Sequence, residues 1–179
     1  MAVRNVIRMG HPTLLATAQP VTDFDNDTLK ILVDDLFDTM ASLDGAGLAA
    51  PQIGVSLRVV VFGIEANPRY PDAETVPTTV LINPTIIQLK DTKEDDWEGC
   101  LSVPGLRGKV PRYTHIKYTG FNEKGQVIDR TVDGFHARVV QHECDHLDGI
   151  LYPQRMIDMK SFGYNEEIED VLKTKENKQ

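Results

Sequence analysis

The run His142-Glu143-Cys144-Asp145-His146 carries the densest chemistry in this chain. Two histidines four apart on a helix project from the same side, about one turn apart, and together can grip one metal ion. Glu143, beside the first of them, is then placed to act as a general base on a water that the ion activates. The plainer alternative is a solvated helix that happens to carry two histidines. Apolar spacing argues against it: Phe135, Val139, His142 and His146 recur at intervals of four, three and four, which is one helical stripe. Asp133-Gly134 reads as the N-cap of that helix and Gly149 as its left-handed C-terminal residue. The candidate ligands therefore face inward, toward a buried cleft. Cys144 lies two residues from each histidine, points to the opposite side, and reads as a small core residue.

Two imidazoles do not complete a metal site, so a third donor decides its class. The extension H-E-x-x-H-x-x-G-x-x-H finds its glycine in Gly149, but Tyr152 stands where the last histidine is needed. A set of two histidines and a downstream glutamate would recruit Glu166. That glutamate lies in the acidic run from Asn165 to Asp170, which reads more simply as a solvated helix face. The other candidate is upstream, in Glu98-Gly99-Cys100-Leu101-Ser102, where a cysteine thiolate can bind metal directly. Glu98 is the candidate acceptor for the second N–H of a metal-bound histidine. Asp145, one turn beyond His142, can instead pair with a cation such as Arg112.

A third segment, Gly45-Ala46-Gly47-Leu48-Ala49-Ala50-Pro51-Gln52, precedes these two, and the ordered trio resembles the peptide deformylases. The resemblance runs from about Ile7-Arg8-Met9-Gly10-His11-Pro12 to Leu151-Tyr152. It implies Cys100, His142 and His146 as the protein ligands of one divalent ion, in place of Glu166. It implies removal of the formyl group from the N-terminal methionine of newly made polypeptides, with release of formate. Glu143 would take a proton from water and deliver it to the departing amine. The side-chain amide of Gln52 and the backbone N–H of Leu101 would receive the developing oxyanion. Gly45, Gly47 and Gly99, lacking side chains, would let an extended peptide approach and pair as an added strand. Val139 and Phe135, one and two turns before His142, are candidates to line an apolar methionine pocket, with ordinary core packing an equal alternative for Phe135. One cysteine and two imidazoles suit zinc, iron(II), cobalt or nickel alike; the resemblance implies iron(II) in the cell and zinc, nickel or cobalt in purified protein. The nearer rival is a metallopeptidase that uses Glu166 and cuts internal bonds. A non-catalytic relative with a structural metal is the remoter one, since Glu143, Gln52 and Cys100 are all present.

The elements that must position these groups are legible in outline. Asp25-Asn26-Asp27 is a capping cluster, after which Leu29, Leu32, Val33, Leu36, Phe37 and Met40 predict a helix that stops before Gly45. Leu57 to Ile64 reads as a buried strand, followed by a Pro-bearing loop from Asn67 to Pro77. Thr79 to Leu89 is β-prone but interrupted by Asn83-Pro84, which implies a bend or a sheet edge. His115 to Phe121 and Gln126 to Val132 flank a hairpin turn at Asn122 to Gly125. Tyr164 to Gln179 reads as a charged helical tail. Trp97 is expected to wall the cleft or join the core, His115 and His136 to be surface or hydrogen-bonded histidines, and His11 to sit in a loop. Strands between two segregated helices, without βαβ alternation, predict an α+β fold on antiparallel sheet. The resemblance implies the same fold, with the sheets around a central C-terminal helix.

At 179 residues the chain is expected to form a single catalytic domain spanning 1–179, with the tail from about residue 160. A net charge of -8 argues against general nucleic-acid binding, DNA included. No apolar run approaches the length needed to cross a membrane; Val59-Val60-Val61-Phe62 is only strand-length. Arg4 and Arg8 are not followed by an apolar signal region, which predicts a cytoplasmic protein. Two cysteines make no disulfide framework. The expected partners are N-formylmethionyl nascent peptides and the ribosome near its exit site; the chain is expected to act as a monomer.

Overall fold

The computed structural model describes residues 2–64 and 74–176, with side chains through residue 170. Helix α1 (Asp27–Ser42) starts where Asn26 accepts a hydrogen bond from the Leu29 N–H at 2.8 Å. Five antiparallel strands form the larger sheet: β1 (Gly47–Ala49), β2 (Val59–Ile64), β3 (Val76–Gln88), β6 (His115–Phe121) and β7 (Val127–Asp133), in the order β1-β2-β3-β6-β7. The smaller sheet runs β4-β5-β8, from β4 (Lys93–Cys100), β5 (Val103–Tyr113) and β8 (Gly163–Tyr164). Helix α2 (Gly134–Leu147) carries both histidines, and α3 (Asn165–Glu176) follows β8.

Strand β2 explains the layering. Its side chains alternate by two, and both sets are buried: Val59 and Val61 pack with Leu32, Leu36 and Met40 of α1. Val60, Phe62 and Ile64 pack with Ala137, Val140 and Leu147 of α2. A strand covered on both faces needs an unbroken apolar run, and the valines supply it. The smaller sheet closes over the other side of α2, where Arg138 donates to the Val110 carbonyl and Gln141 pairs with the backbone of Tyr113. The helix with the histidines thus lies between the two sheets, as expected.

Several local expectations change. Asn83-Pro84 makes a bulge, with the register shifting between Ile82 and Thr85, but β3 is a central strand and not an edge. Asn83 tolerates its left-handed φ of 50° because its amide exchanges two hydrogen bonds with the backbone of Val21. Asp133 occupies the N-cap without a side-chain cap bond; its carboxylate lies 3.6 Å from His115 instead. Tyr164 belongs to β8, so the tail helix begins at Asn165. Residues 65–73, which include 67–73 of the expected loop, and 177–179 of the tail lie outside the described residues, and β3 already begins at Val76. Strands β4 and β5 were not foreseen, because Lys93-Glu94-Asp95-Asp96 and the Pro- and Gly-bearing stretch after Val103 hide a strand pattern.

The N-terminal segment laces the three motif regions together. Ile7 N–H donates to the Gln52 carbonyl at 2.9 Å, Met9 N–H to the Ser102 carbonyl at 2.8 Å, and Ala18 N–H to the Leu147 carbonyl at 2.8 Å. Gly149, at φ 71°, ends α2 beneath this segment; a Cβ there would lie 2.6 Å from the Leu15 carbonyl. Among the described residues no helix is long and apolar enough to cross a membrane.

Candidate metal centre

Strand β4 and helix α2 face each other across the site. Glu98 and Cys100, two apart on β4, project to one side of the strand; His142 and His146, four apart, share one side of α2. One donor atom from each of Cys100, His142 and His146 falls within 4.8 Å of the others. Cys100 Sγ is 3.4 Å from His146 Nε2, and the two imidazole rings stand 5.0 Å apart at 78°. Glu98 Oε2 lies 2.8 Å from His142 Nδ1, so the carboxylate takes that N–H and leaves Nε2 with its lone pair. Glu166 is exposed on α3 and plays no part in this cluster, which removes the alternative third ligand.

The surroundings suit a cation. Burial opposes the charged form of Glu98, yet hydrogen bonds from Arg112 and His142 overcome it and hold the carboxyl well below its usual range. Arg112 grips both Glu98 oxygens, at 2.8 and 2.9 Å, and reaches Asp145, which Arg155 also holds. Burial pushes Glu143 up to about 7, and its Oε2 is buried with no hydrogen-bond partner among the described residues. A thiol and two imidazole nitrogens converge beside the cleft that Glu143 also lines, and this donor set fits a divalent ion with an open position. Cys144 is buried in the core behind the helix, where burial raises its thiol, as the spacing predicts.

One cleft gathers the remaining candidates. From the first motif come Gly45, Gly47 and Gln52, and from the end of β4 come Gly99, Cys100 and Leu101. Helix α2 contributes Phe135, Val139, His142 and Glu143, while His146 lies beneath, almost wholly buried. Trp97 does wall the cleft. Phe135 serves both expectations, since it packs on the core and lines the opening. Gly47 has a further reason to lack a side chain: a Cβ there would sit 2.6 Å from the carboxyl carbon of Glu143. Gln52 Oε1 accepts the Ala49 N–H at 2.8 Å, which turns Nε2 toward Ser102 Oγ at 3.1 Å and Cys100 Sγ at 3.5 Å. His136 bonds to the Tyr118 hydroxyl and His115 to Thr114, so neither joins the centre; His11 caps a short 3₁₀ turn.

Three contributors escaped the sequence reading. Arg138, four residues before His142 on the inward stripe, donates to Glu98 Oε1 at 2.9 Å. Its spacing was a signal: a charge on a buried stripe demands a partner. Ser102 orients Gln52, and the Tyr152 ring stacks on His142 at 6.2 Å and 23°. Neither contact has a trace in local spacing.

A helix that presents two histidines and a glutamate to a cysteine on a facing strand defines a metal-binding hydrolase centre. The sequence model of the polypeptide deformylase family matches residues 3–162. The chain is 60% identical over 166 residues to peptide deformylase 1 of Nitrosomonas europaea, covering 93% of this chain and 94% of that one. It is 61% identical over 164 residues to peptide deformylase 2 of Ralstonia nicotianae, with 92% and 93% covered. A crystal structure of the class I type b peptide deformylase from Acinetobacter baumannii with Met-Ala-Ser bound matches with a TM-score of 0.83 at 38% identity, over 87% of this chain and 99% of that one. The enzyme from Thermotoga maritima matches at 0.79 and 34%, over 88% and 100%. This chain belongs to the polypeptide deformylase family.

Proposed function

We propose that this chain removes the formyl group from the N-terminal methionine of newly made polypeptides and releases formate. The observation that carries the reading is the convergence of Cys100, His142 and His146 within 4.8 Å of one another. A bound divalent ion would supply Lewis acidity and lower the pKa of an attacking water. Glu143, buried and poised near neutrality, takes that water's proton and later protonates the leaving amine. Gln52, with its carbonyl oxygen tied to Ala49, offers an Nε2 hydrogen to the developing oxyanion, and the Leu101 N–H offers a second. Glu98 holds the tautomer of His142 throughout.

Among the described residues, strands β1 and β4 each pair with one neighbour only, so both present open edges at the cleft on which an extended peptide adds as a strand. Gly45, Gly47 and Gly99 keep that approach clear, and Phe135 with Val139 forms the apolar seat for the methionine side chain. The Met-Ala-Ser bound to the Acinetobacter baumannii relative supports this seat. We assign iron(II) as the ion in the cell, with zinc, nickel or cobalt replacing it in purified protein. Residues 1–179 act as one catalytic domain, a cytoplasmic monomer that meets its substrates near the ribosomal exit site. The test is anaerobic purification with elemental analysis, followed by formate release from formyl-methionyl and acetyl-methionyl peptides. One equivalent of metal and strong preference for the formyl peptide are expected. Comparable turnover of the acetyl peptide would sink the reading in favour of a broader amidase.

A further inference from the structure

Arg138 reaches out of α2 into the smaller sheet with three hydrogen bonds. Nη1 donates to Glu98 Oε1 at 2.9 Å and to the Val110 carbonyl at 2.8 Å, and Nη2 donates to the Glu94 carbonyl at 2.7 Å. The residue is only 7% exposed. Its neighbour one turn along α2, His142, bonds the other oxygen of the same carboxylate at 2.8 Å. The Glu98 side chain is therefore gripped from residues i and i+4 of a single helix. Two residues further along β4, on the same side of the strand, stands Cys100. A slide of β4 or a rotation of α2 that parts Cys100 from His142 must also break the Arg138 contacts. Arg112 makes a separate link: it arises from β5, holds Glu98 within its own sheet, and reaches α2 a turn further on, at Asp145.

We propose that Arg138 is a positioning residue that sets the register between β4 and α2, and through it the spacing of Cys100 against His142. The proposal rests on the metal-centre reading above. If it holds, the geometry of the donor set, and not only the stability of the fold, depends on a side chain that is no ligand.

Cobalt(II)-loaded protein gives the test, read by its visible d–d spectrum and by the rate of cobalt release to a chelator. Arg138→Met is expected to shift the bands and speed release about tenfold or more, the usual cost of losing support behind a ligand. Arg138→Lys, which keeps a cation within reach of Glu98, is expected to recover part of the difference. In a Glu98→Gln background the added effect of Arg138→Met should shrink, as it must if the two act as one unit. An unchanged spectrum and release rate in Arg138→Met overturn the proposal, as does a full-sized effect in the Glu98→Gln background. Should the methionine variant not fold, Arg138→Gln, which likewise removes the cation, is read in its place, and a wild-type spectrum and release rate in it overturn the proposal. Wild-type protein that takes up no stoichiometric cobalt overturns the metal centre itself, and is seen before any variant is compared.

Discussion

Glu143 Oε2 has no hydrogen-bond partner among the described residues, and its burial is tolerable only while the carboxyl can hold a proton or face a cation. Replacing it by glutamine keeps the shape and removes the basicity. Glu143→Gln is expected to fold, to retain metal, and to lose at least about a hundredfold in turnover, the lower end of general acid–base effects. Near-normal formate release from a metal-replete variant would mean that the motif has been misread. Gly47→Ala tests the same group from the opposite side: the new methyl must displace the Glu143 carboxylate, so metal content should hold while turnover falls. At this scale the sequence was most informative where chemistry demands fixed spacing, as for His142, Glu143 and His146. Cys100 needed the resemblance to separate it from Glu166. Arg138 and Ser102 stayed hidden because their partners, Glu98 and Gln52, are 40 and 50 residues away along the chain.

Among the elements, β2 could be read from the sequence and β4 could not, for one physical reason. Burial on both faces forces an apolar run, whereas β4 is a sheet edge whose first four residues are exposed and charged. The β3 bulge shows a motif read half correctly. Asn83-Pro84 does bend the strand, yet a central position is allowed because the Asn83 amide is satisfied by Val21. Asn83→Ala loses both hydrogen bonds and keeps an unfavourable positive φ. A destabilisation of roughly 2–4 kcal/mol is expected from the summed strain and lost bonds, measured by urea unfolding with an unchanged m value. A loss within about half a kcal/mol, as at an ordinary surface site, would show that the bulge persists without its asparagine.

For the molecule as a whole, buried ionisable groups set a pH window. Glu98 is held below its ordinary 4.5, so its contribution is present above that value and lost as pH falls toward its folded pKa. Cys144 and Tyr152 are raised by burial above their ordinary 9.0 and 10.0. The fold prefers their neutral forms, so their contribution is complete below those values and is lost as pH rises beyond them. Melting temperature should therefore fall at both extremes, below about pH 5 and above about pH 9. Between them Glu143, raised by burial to about 7, adds a decline as pH rises from its ordinary 4.5 toward neutrality. Cys144→Ala should flatten part of the alkaline decline while lowering the melting temperature at neutral pH. An unmodified protein with a flat melting temperature to pH 11 would contradict the burial of these groups.

The lacing of the three motif regions by Ile7, Met9 and Ala18 has a consequence for the order of assembly during synthesis. These donors leave the ribosome early, whereas the Leu147 carbonyl that Ala18 needs is made about 130 residues later. Closing so long a loop costs entropy that only the finished cleft repays. An incomplete chain therefore holds its leading segment without a seat, and catalytic competence arrives in one late step, after α2 has been made. Release of formate by stalled chains of increasing length should switch on abruptly once residue 149 is free of the exit tunnel, with no partial activity before it.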